Sequence, residues 1–293
     1  MRITHRAIAE RSAQNMQLNL AAMAKLQDQI SSGSALSRPS DSPSGTSTAM
    51  RSRAELTTNE RHTANISSAT TVLNAADSAL DAMGDLVRRA RDLVTQGANS
   101  GANNAVNDAA LATEITGIRE SMLAVANRTV SGVPVFGGTT AGALAYGTDG
   151  SYVGQSAGEQ RVRVSASETV QTSLDGPAVF GTGADDVFAL LGVIATELEN
   201  GSTTLGSRLT DLDVAAQRMT TTRAEIGVRT QRLEQVAAIN AGHALTIAAQ
   251  LSEAEDIDQT KTYLELTVRQ SSYQAALQTA ASTIQLSLVD YLR

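Results

Sequence analysis

SSGSALSRPSDSPSG, residues 31–45, interrupts a chain that reads as helix on either side of it. Pro39 and Pro43 remove backbone donors and push Arg38 and Ser42 out of helical geometry. Gly33 is a natural helix terminator, and the Asp and Ser side chains offer competing local hydrogen bonds. The stretch is therefore a break between two helical segments. Taken alone it reads as a surface linker, and its role depends on what it joins.

Beyond the break, Ile66, Ala69, Leu73, Ala76, Leu80, Met83, Val87, Ala90 and Val94 alternate in steps of 3 and 4, the spacing of a coiled-coil seam. The pattern stops at QGANSGANN (96–104), a turn, and resumes as Leu111, Ile115, Ile118, Met122 and Val125. The longest run is in the second half: Leu205, Leu209, Leu212, Ala216, Met219, Arg223, Ile226, Thr230, Leu233, Ala237, Asn240, Ala244, Ile247 and Leu251. As one helix this run is about 70 Å long. Arg223, Thr230 and Asn240 intrude, and a polar residue in a seam can set register at some cost in stability. The run fails at SEAEDID (252–258), and a last amphipathic stretch follows through Leu264, Val268, Leu277, Ala281, Ile284, Leu288 and Tyr291.

Residues 133–183 differ. They are dense in Gly, Val162 and Val164 alternate with Arg161, Arg163 and Ser165 as a strand would, and TDGS (148–151) is a hairpin signal. Asp185 is the expected N-cap where helix resumes at FALLGVIATELE. The expected class is mainly α: a long antiparallel coiled-coil or helical-bundle rod made by both chain halves, with a small β-rich module at its tip. The expected domains are terminal helices at 1–42 and 252–293, a helical rod at 43–132 and 184–251, and the tip at 133–183. Charge fits pairing of the ends: residues 1–40 carry five basic and two acidic groups, net +3, and residues 250–293 three basic and six acidic, net −3. Surface pairs contribute under about 1 kcal/mol each, so the match supports pairing without proving it.

Over 293 residues, aromatics are 3% and Trp is absent, so the apolar content is mainly Ala, Leu, Val and Ile, which suits thin helical bundles. The net charge of −7, with basic residues scattered, argues against nucleic acid. Without Cys there are no disulfides, thiolate metal sites or thiol catalysis. The most apolar run, FALLGVIA (188–195), is far shorter than the roughly 20 residues a bilayer span needs, so no membrane partner is expected. The first 30 residues lack the apolar centre of a signal peptide, which leaves the cytoplasm or export without a cleaved leader. His5, His62 and His243 stand on separate segments without a second ligand at metal spacing. Asp185–Asp186 and Glu255–Asp256 read as helix-end charges rather than an acid–base pair. No phosphate loop is present, and the chain is expected to be no enzyme and to need no cofactor or metal.

The two ends carry a resemblance. RITHRAIAERSAQNMQLNLAAMAKLQDQISSGSALSRPSDSPSG (2–45) resembles the amino-terminal signature of the flagellin superfamily, matching at Ile30, Ser31, Ser32 and Gly33 and at Pro39, Ser40, Asp41 and Pro43. Ser42 stands where that family commonly has a second Asp. AALQTAASTIQLSLVDYLR (275–293) resembles the carboxyl end of the superfamily's hook-filament junction members, through Ser287, Leu288, Asp290, Tyr291 and Leu292. The resemblance implies a subunit exported through the growing flagellum without a cleaved signal peptide and placed outside the cell at the hook-filament junction. Its implied partners are copies of itself in a ring, the first hook-associated protein on the hook side, flagellin on the filament side, and an export chaperone before secretion. It implies an inner assembly layer formed by the terminal helices, with Leu20, Met23, Ile30, Leu277, Ile284, Leu288 and Tyr291 as candidate interface residues. Gly33, Pro39, Ser40, Asp41 and Pro43 would form the joint to the outer rod. A short flagellin and a cytoplasmic coiled-coil adaptor are the alternatives.

Overall fold

The computed structural model describes residues 2–99, 105–156, 158–201 and 204–291, with the side chains of 2–6, 8, 9, 105 and 282–291 left aside. Seven helices and two small hairpins appear among them: α1 (Arg2–Ser32), α2 (Pro43–Asn99), α3 (Ala105–Ala126), β1 (Thr129–Val130), β2 (Val133–Pro134), β3 (Arg161–Arg163), β4 (Thr169–Gln171), α4 (Gly176–Phe180), α5 (Val187–Glu199), α6 (Leu205–Glu255) and α7 (Gln259–Tyr291). The chain folds as two compact units, Met1–Thr58 with His243–Arg293, and Asn59–Gly242.

In the unit Asn59–Gly242 the heptad spacing becomes packing. All nine seam residues from Ile66 to Val94 are buried, as are Leu111, Ile115, Ile118 and Met122 of α3 and Leu205, Leu212, Met219, Ile226 and Leu233 of α6. Each Leu, Ile, Val or Met hidden this way contributes about 1.5–3 kcal/mol. α2 and α6 run antiparallel here: Asn59 meets residue 240, Arg223 meets Asp77 and Asp81, and Arg91 meets Asp213. The Arg223 intrusion into the seam thereby acquires a reason. Its guanidinium sits at the seam edge and bridges two carboxylates one turn apart on α2, at 3.0 and 2.7 Å.

α3 packs on α5, whose face of Val187, Phe188, Leu190, Leu191, Ile194, Ala195 and Leu198 is buried. At the far end of α2, a Cβ on Gly97 would lie 2.5 Å from Leu198 and within 3.6 Å of Leu111 and Leu205, so only glycine lets these helices meet so closely. α5 starts one residue later than expected. Asp185 closes a 3-10 turn (Gly183–Asp185), and Asp186 is the N-cap, its carboxylate accepting from the amides of Phe188 and Ala189.

The β-rich segment does not sit beyond the helix ends. Its β3–β4 hairpin, in register Arg161↔Gln171, Val162↔Val170 and Arg163↔Thr169, lies against Asn65 of α2 and Asn240 of α6. Asn65 is 32 residues from Gly97, about 48 Å along the helix. The position departs from the expected tip for a packing reason. α3 and α5 are short, and the seam residues Ile66, Ala69 and Leu73, which these helices do not reach, need a cover. TDGS does turn the chain, with Gly147 donating to Ser151 at 2.8 Å and Tyr146 bridging to Tyr152. The few aromatics are concentrated here. Phe136, Phe180, Phe188, Tyr146 and Tyr152 form one cluster with ring centroids 4.8–5.7 Å apart, and its buried members belong to the same core as the helical seams.

Candidate assembly interface

In the unit formed by the two chain ends, α1 and α7 pack along each other. They run antiparallel, because the end of α1 is stitched to the entry of α7. Ala35 donates to Glu255 O (2.6 Å), Ile257 donates to Gly33 O (3.2 Å), and Ser34 bridges Asp256. On α1 the half-buried residues include Ser12, Met16, Asn19, Met23, Leu26 and Ile30, in steps of 3 and 4, with Ala22 and Gln29 beside them. On α7 they are Thr262, Arg269, Tyr273, Ala276 and Ala280, with Leu266 buried among them, again in steps of 3 and 4. This is a heptad pair, but a thin one. Among the described residues of α1 and α7, Leu266 alone is buried, and it keeps 9% of its surface exposed.

Apolar side chains remain outside the pair. Leu18 (68% exposed), Leu264 (65%) and Val268 (56%) are open, and Leu20 (46%) and Leu277 (44%) flank the seam. Of the expected interface residues, Met23 and Ile30 thus lie in the α1–α7 seam, whereas Leu20 and Leu277 lie at its margin and face solvent. The inward face of α7 runs through Leu266, Tyr273 and Ala276, not through the Leu264–Val268–Leu277 series read from the sequence. Ile284, Leu288 and Tyr291 belong to α7, and their side chains lie outside the described residues. Met16, Asn19 and Leu26 were missed because polar Asn19 interrupts the apolar pattern, though the 3–4 spacing itself was there to be read.

The break 33–43 is built from named interactions. Gly33 (φ +71°) ends α1 in the left-handed region and donates to Gln29 O at 2.8 Å. Arg38–Pro39–Ser40–Asp41 is a β-turn with proline at its second position, closed by Asp41 N donating to Arg38 O (2.9 Å). The Asp41 carboxylate accepts from Arg38 N (2.9 Å) and from Lys25 Nζ (2.8 Å) on α1. The Lys25 ammonium, with the Arg38 amide, holds the Asp41 carboxyl below its ordinary range. Ser42 is the N-cap of α2: its Oγ accepts from Gly45 N (3.1 Å), and Pro43 occupies the first helical position, where no donor is missed. A serine can therefore fill the cap that an aspartate would fill. Arg53 of α2 reaches Glu255 at the end of α6 (2.8 Å), so the joint touches both long helices within its own unit. Gly33, Pro39, Ser40, Asp41 and Pro43 are brought together, and Lys25, Glu255 and Arg53 join them without a local sequence signal.

Among the described residues no three His, Cys, Asp or Glu side chains group as they would around a metal, and no helix is long and apolar enough to cross a membrane. What the arrangement offers is surface for other helices.

Residues 3–140 match the bacterial flagellin N-terminal helical region. Flagellar hook-associated protein 3 of Escherichia coli is 24% identical, with 98% of each chain covered. Among solved structures, Bacillus cereus FlgL superposes with a TM-score of 0.60 at 20% identity, over 69% of this chain and 99% of that one. The flagellar junction protein FlgL from Legionella pneumophila gives 0.57 at 12% identity, over 71% and 100%. At such identities the two structures speak for the fold. Residues 3–140 thus match the flagellin N-terminal helical region, and over nearly its whole length the chain is similar to flagellar hook-associated protein 3.

Proposed function

We propose that this chain is a structural subunit of the bacterial flagellum that joins hook to filament and assembles as a ring through α1 and α7. The observation that carries the reading is the terminal pair, which contains one buried side chain among its described residues and leaves Leu18, Leu20, Leu264, Val268 and Leu277 uncovered. A layer that buries so little within one chain gains most of its burial from neighbouring copies. Leu20, Met23, Ile30, Leu277, Ile284, Leu288 and Tyr291 would supply contacts within and between subunits, and the joint at 33–43 would hand the inner layer on to α2. The role is mechanical, with no chemistry and no cofactor. Its partners would be copies of itself, the first hook-associated protein, flagellin, and an export chaperone before secretion without a cleaved signal peptide. The end-to-end likeness to a flagellar hook-associated protein supports this over a short flagellin or a cytoplasmic adaptor.

Deletion of the gene tests it. Attached hooks without filaments, with flagellin released into the medium, are expected. Hooks without filaments and no released flagellin would instead mark the chain as the filament subunit.

A further inference from the structure

Three asparagines in the unit Asn59–Gly242 close a triangle between α2, α6 and the β3–β4 hairpin. Asn59 of α2 donates from Nδ2 to the main-chain carbonyl of Asn240 on α6 (2.9 Å). Asn240 donates from its own Nδ2 to Val164 O (2.9 Å). Asn65, further along α2, donates to Arg163 O (2.8 Å). Asn59 and Asn240 are buried, so both amides work out of water. Arg163 ends β3 and Val164 follows it directly, so the two helices grip neighbouring carbonyls at one edge of the hairpin. Across the turn, Glu168 pairs with Arg232 of α6.

Apolar contact adds little to this grip. Between residues 161 and 171 the buried apolar side chains are Val164 and Val170 alone, while Arg161, Arg163, Ala166 and Thr169 are exposed. The helical seam beneath is different, built of Ala, Leu, Met, Val and Ile that repeat along its length. Repeated apolar residues of similar size hold two helices together but do not say at what height a third element docks. Directed hydrogen bonds to particular carbonyls do.

We propose that Asn59, Asn65 and Asn240 form a latch that sets where the β3–β4 hairpin docks, and from which the hairpin opens as a unit while the α2–α6 seam stays closed. Released carbonyls of Arg163 and Val164 find water, so opening costs the net value of a few hydrogen bonds, two valines and the cover over the seam beneath the hairpin. The seam loses no apolar contact of its own except beneath the hairpin. Asn240, read from the sequence as a register-setting intrusion, sets the register of a strand against the helices.

Amide hydrogen exchange on the full-length chain tests this with Asn240→Leu and Asn65→Ala. In Asn240→Leu, the hairpin amides of Val164 and Thr172, which donate to Glu168 O and Gln160 O, should exchange about tenfold faster. Amides at Val87 and Leu212, seam positions far along the helices from the hairpin, should keep their wild-type rates, and the melting temperature should hold or rise, because leucine suits the seam. Asn65→Ala touches the latch from the half-buried margin and should give the same selective pattern, which decides the matter if the leucine variant does not fold. Unchanged hairpin protection in the folded variants would overturn the latch. Helix amides quickening in step with the hairpin would overturn independent opening.

Discussion

Asp186 does two opposed things at the start of α5. Its carboxylate satisfies the amides of Phe188 and Ala189, yet burial beside the aromatic cluster raises its pKa, against the smaller influence of those bonds and of Arg218 and Arg119. A carboxyl whose folded pKa is raised favours the folded state while protonated, and that contribution fades as pH rises from the ordinary carboxylate range through the raised value. Asp186→Asn keeps an oxygen acceptor and removes the buried charge. Urea melts at about pH 4 and about pH 7 should show the Asn variant gaining on wild type as pH rises, and the opposite slope would contradict the assignment. Asp186→Ala loses the cap and should cost about 1 kcal/mol at about pH 4, and less at about pH 7, where the buried charge weighs on the wild type. Two adjacent acids made either residue a possible cap by sequence. The 3-10 turn Gly183–Asp185, whose last carbonyl accepts from Arg218, moved the cap along by one.

At the scale of the element, the seams of α2 and α6 were legible because a 3–4 repeat of apolar residues reports which side of a helix is buried. Leu80 and Leu212 sit in the two seams and are almost without solvent contact. Leu80→Asp or Leu212→Asp places an unpaired carboxylate in that core and should cost roughly 3–5 kcal/mol. Calorimetry showing an unchanged melting temperature for either would mean the seam is misplaced. α7 was less legible for the same reason reversed. Leu264 and Val268 on one side, and Leu266 and Tyr273 on the other, both present apolar residues at helical spacing, so periodicity does not choose between them. Packing against Met23, Leu26 and Ile30 of α1 turns the second set inward.

The whole molecule holds two units of unequal depth. The unit Asn59–Gly242 buries continuous seams and the aromatic cluster, whereas the terminal pair buries Leu266 and half-covers the rest. Hydrogen exchange should therefore find residues 1–40 and 255–293 much less protected than 66–94 and 205–233, and equal protection would refute the contrast. Removing the last ten residues should leave the melting of the Asn59–Gly242 unit unchanged, since no seam residue there belongs to α7. The same truncation should stop complementation of a deletion strain, with filaments absent by electron microscopy. Filaments built by the truncated chain would remove α7 from assembly.

Sequence by itself determined the helices, their buried stripes, the break at 31–45 and the antiparallel return of the chain. Each of these is local: a proline removes a donor where it stands, and a heptad marks a face whatever covers it. Gly33, Pro39, Asp41 and Pro43 were legible as a joint for that reason, while Lys25, Glu255 and Arg53 were not, since nothing near them in the chain names their partners. Only the tertiary structure decided what covers each face. It laid the β3–β4 hairpin along the side of α2 and α6, where short α3 and α5 leave the seam bare. It gathered Phe136, Tyr146, Tyr152, Phe180 and Phe188 from five separate places into one cluster. Hydrophobic burial is non-directional, so a sequence marks a surface that must be covered, and the choice of cover falls to the chain that can reach it.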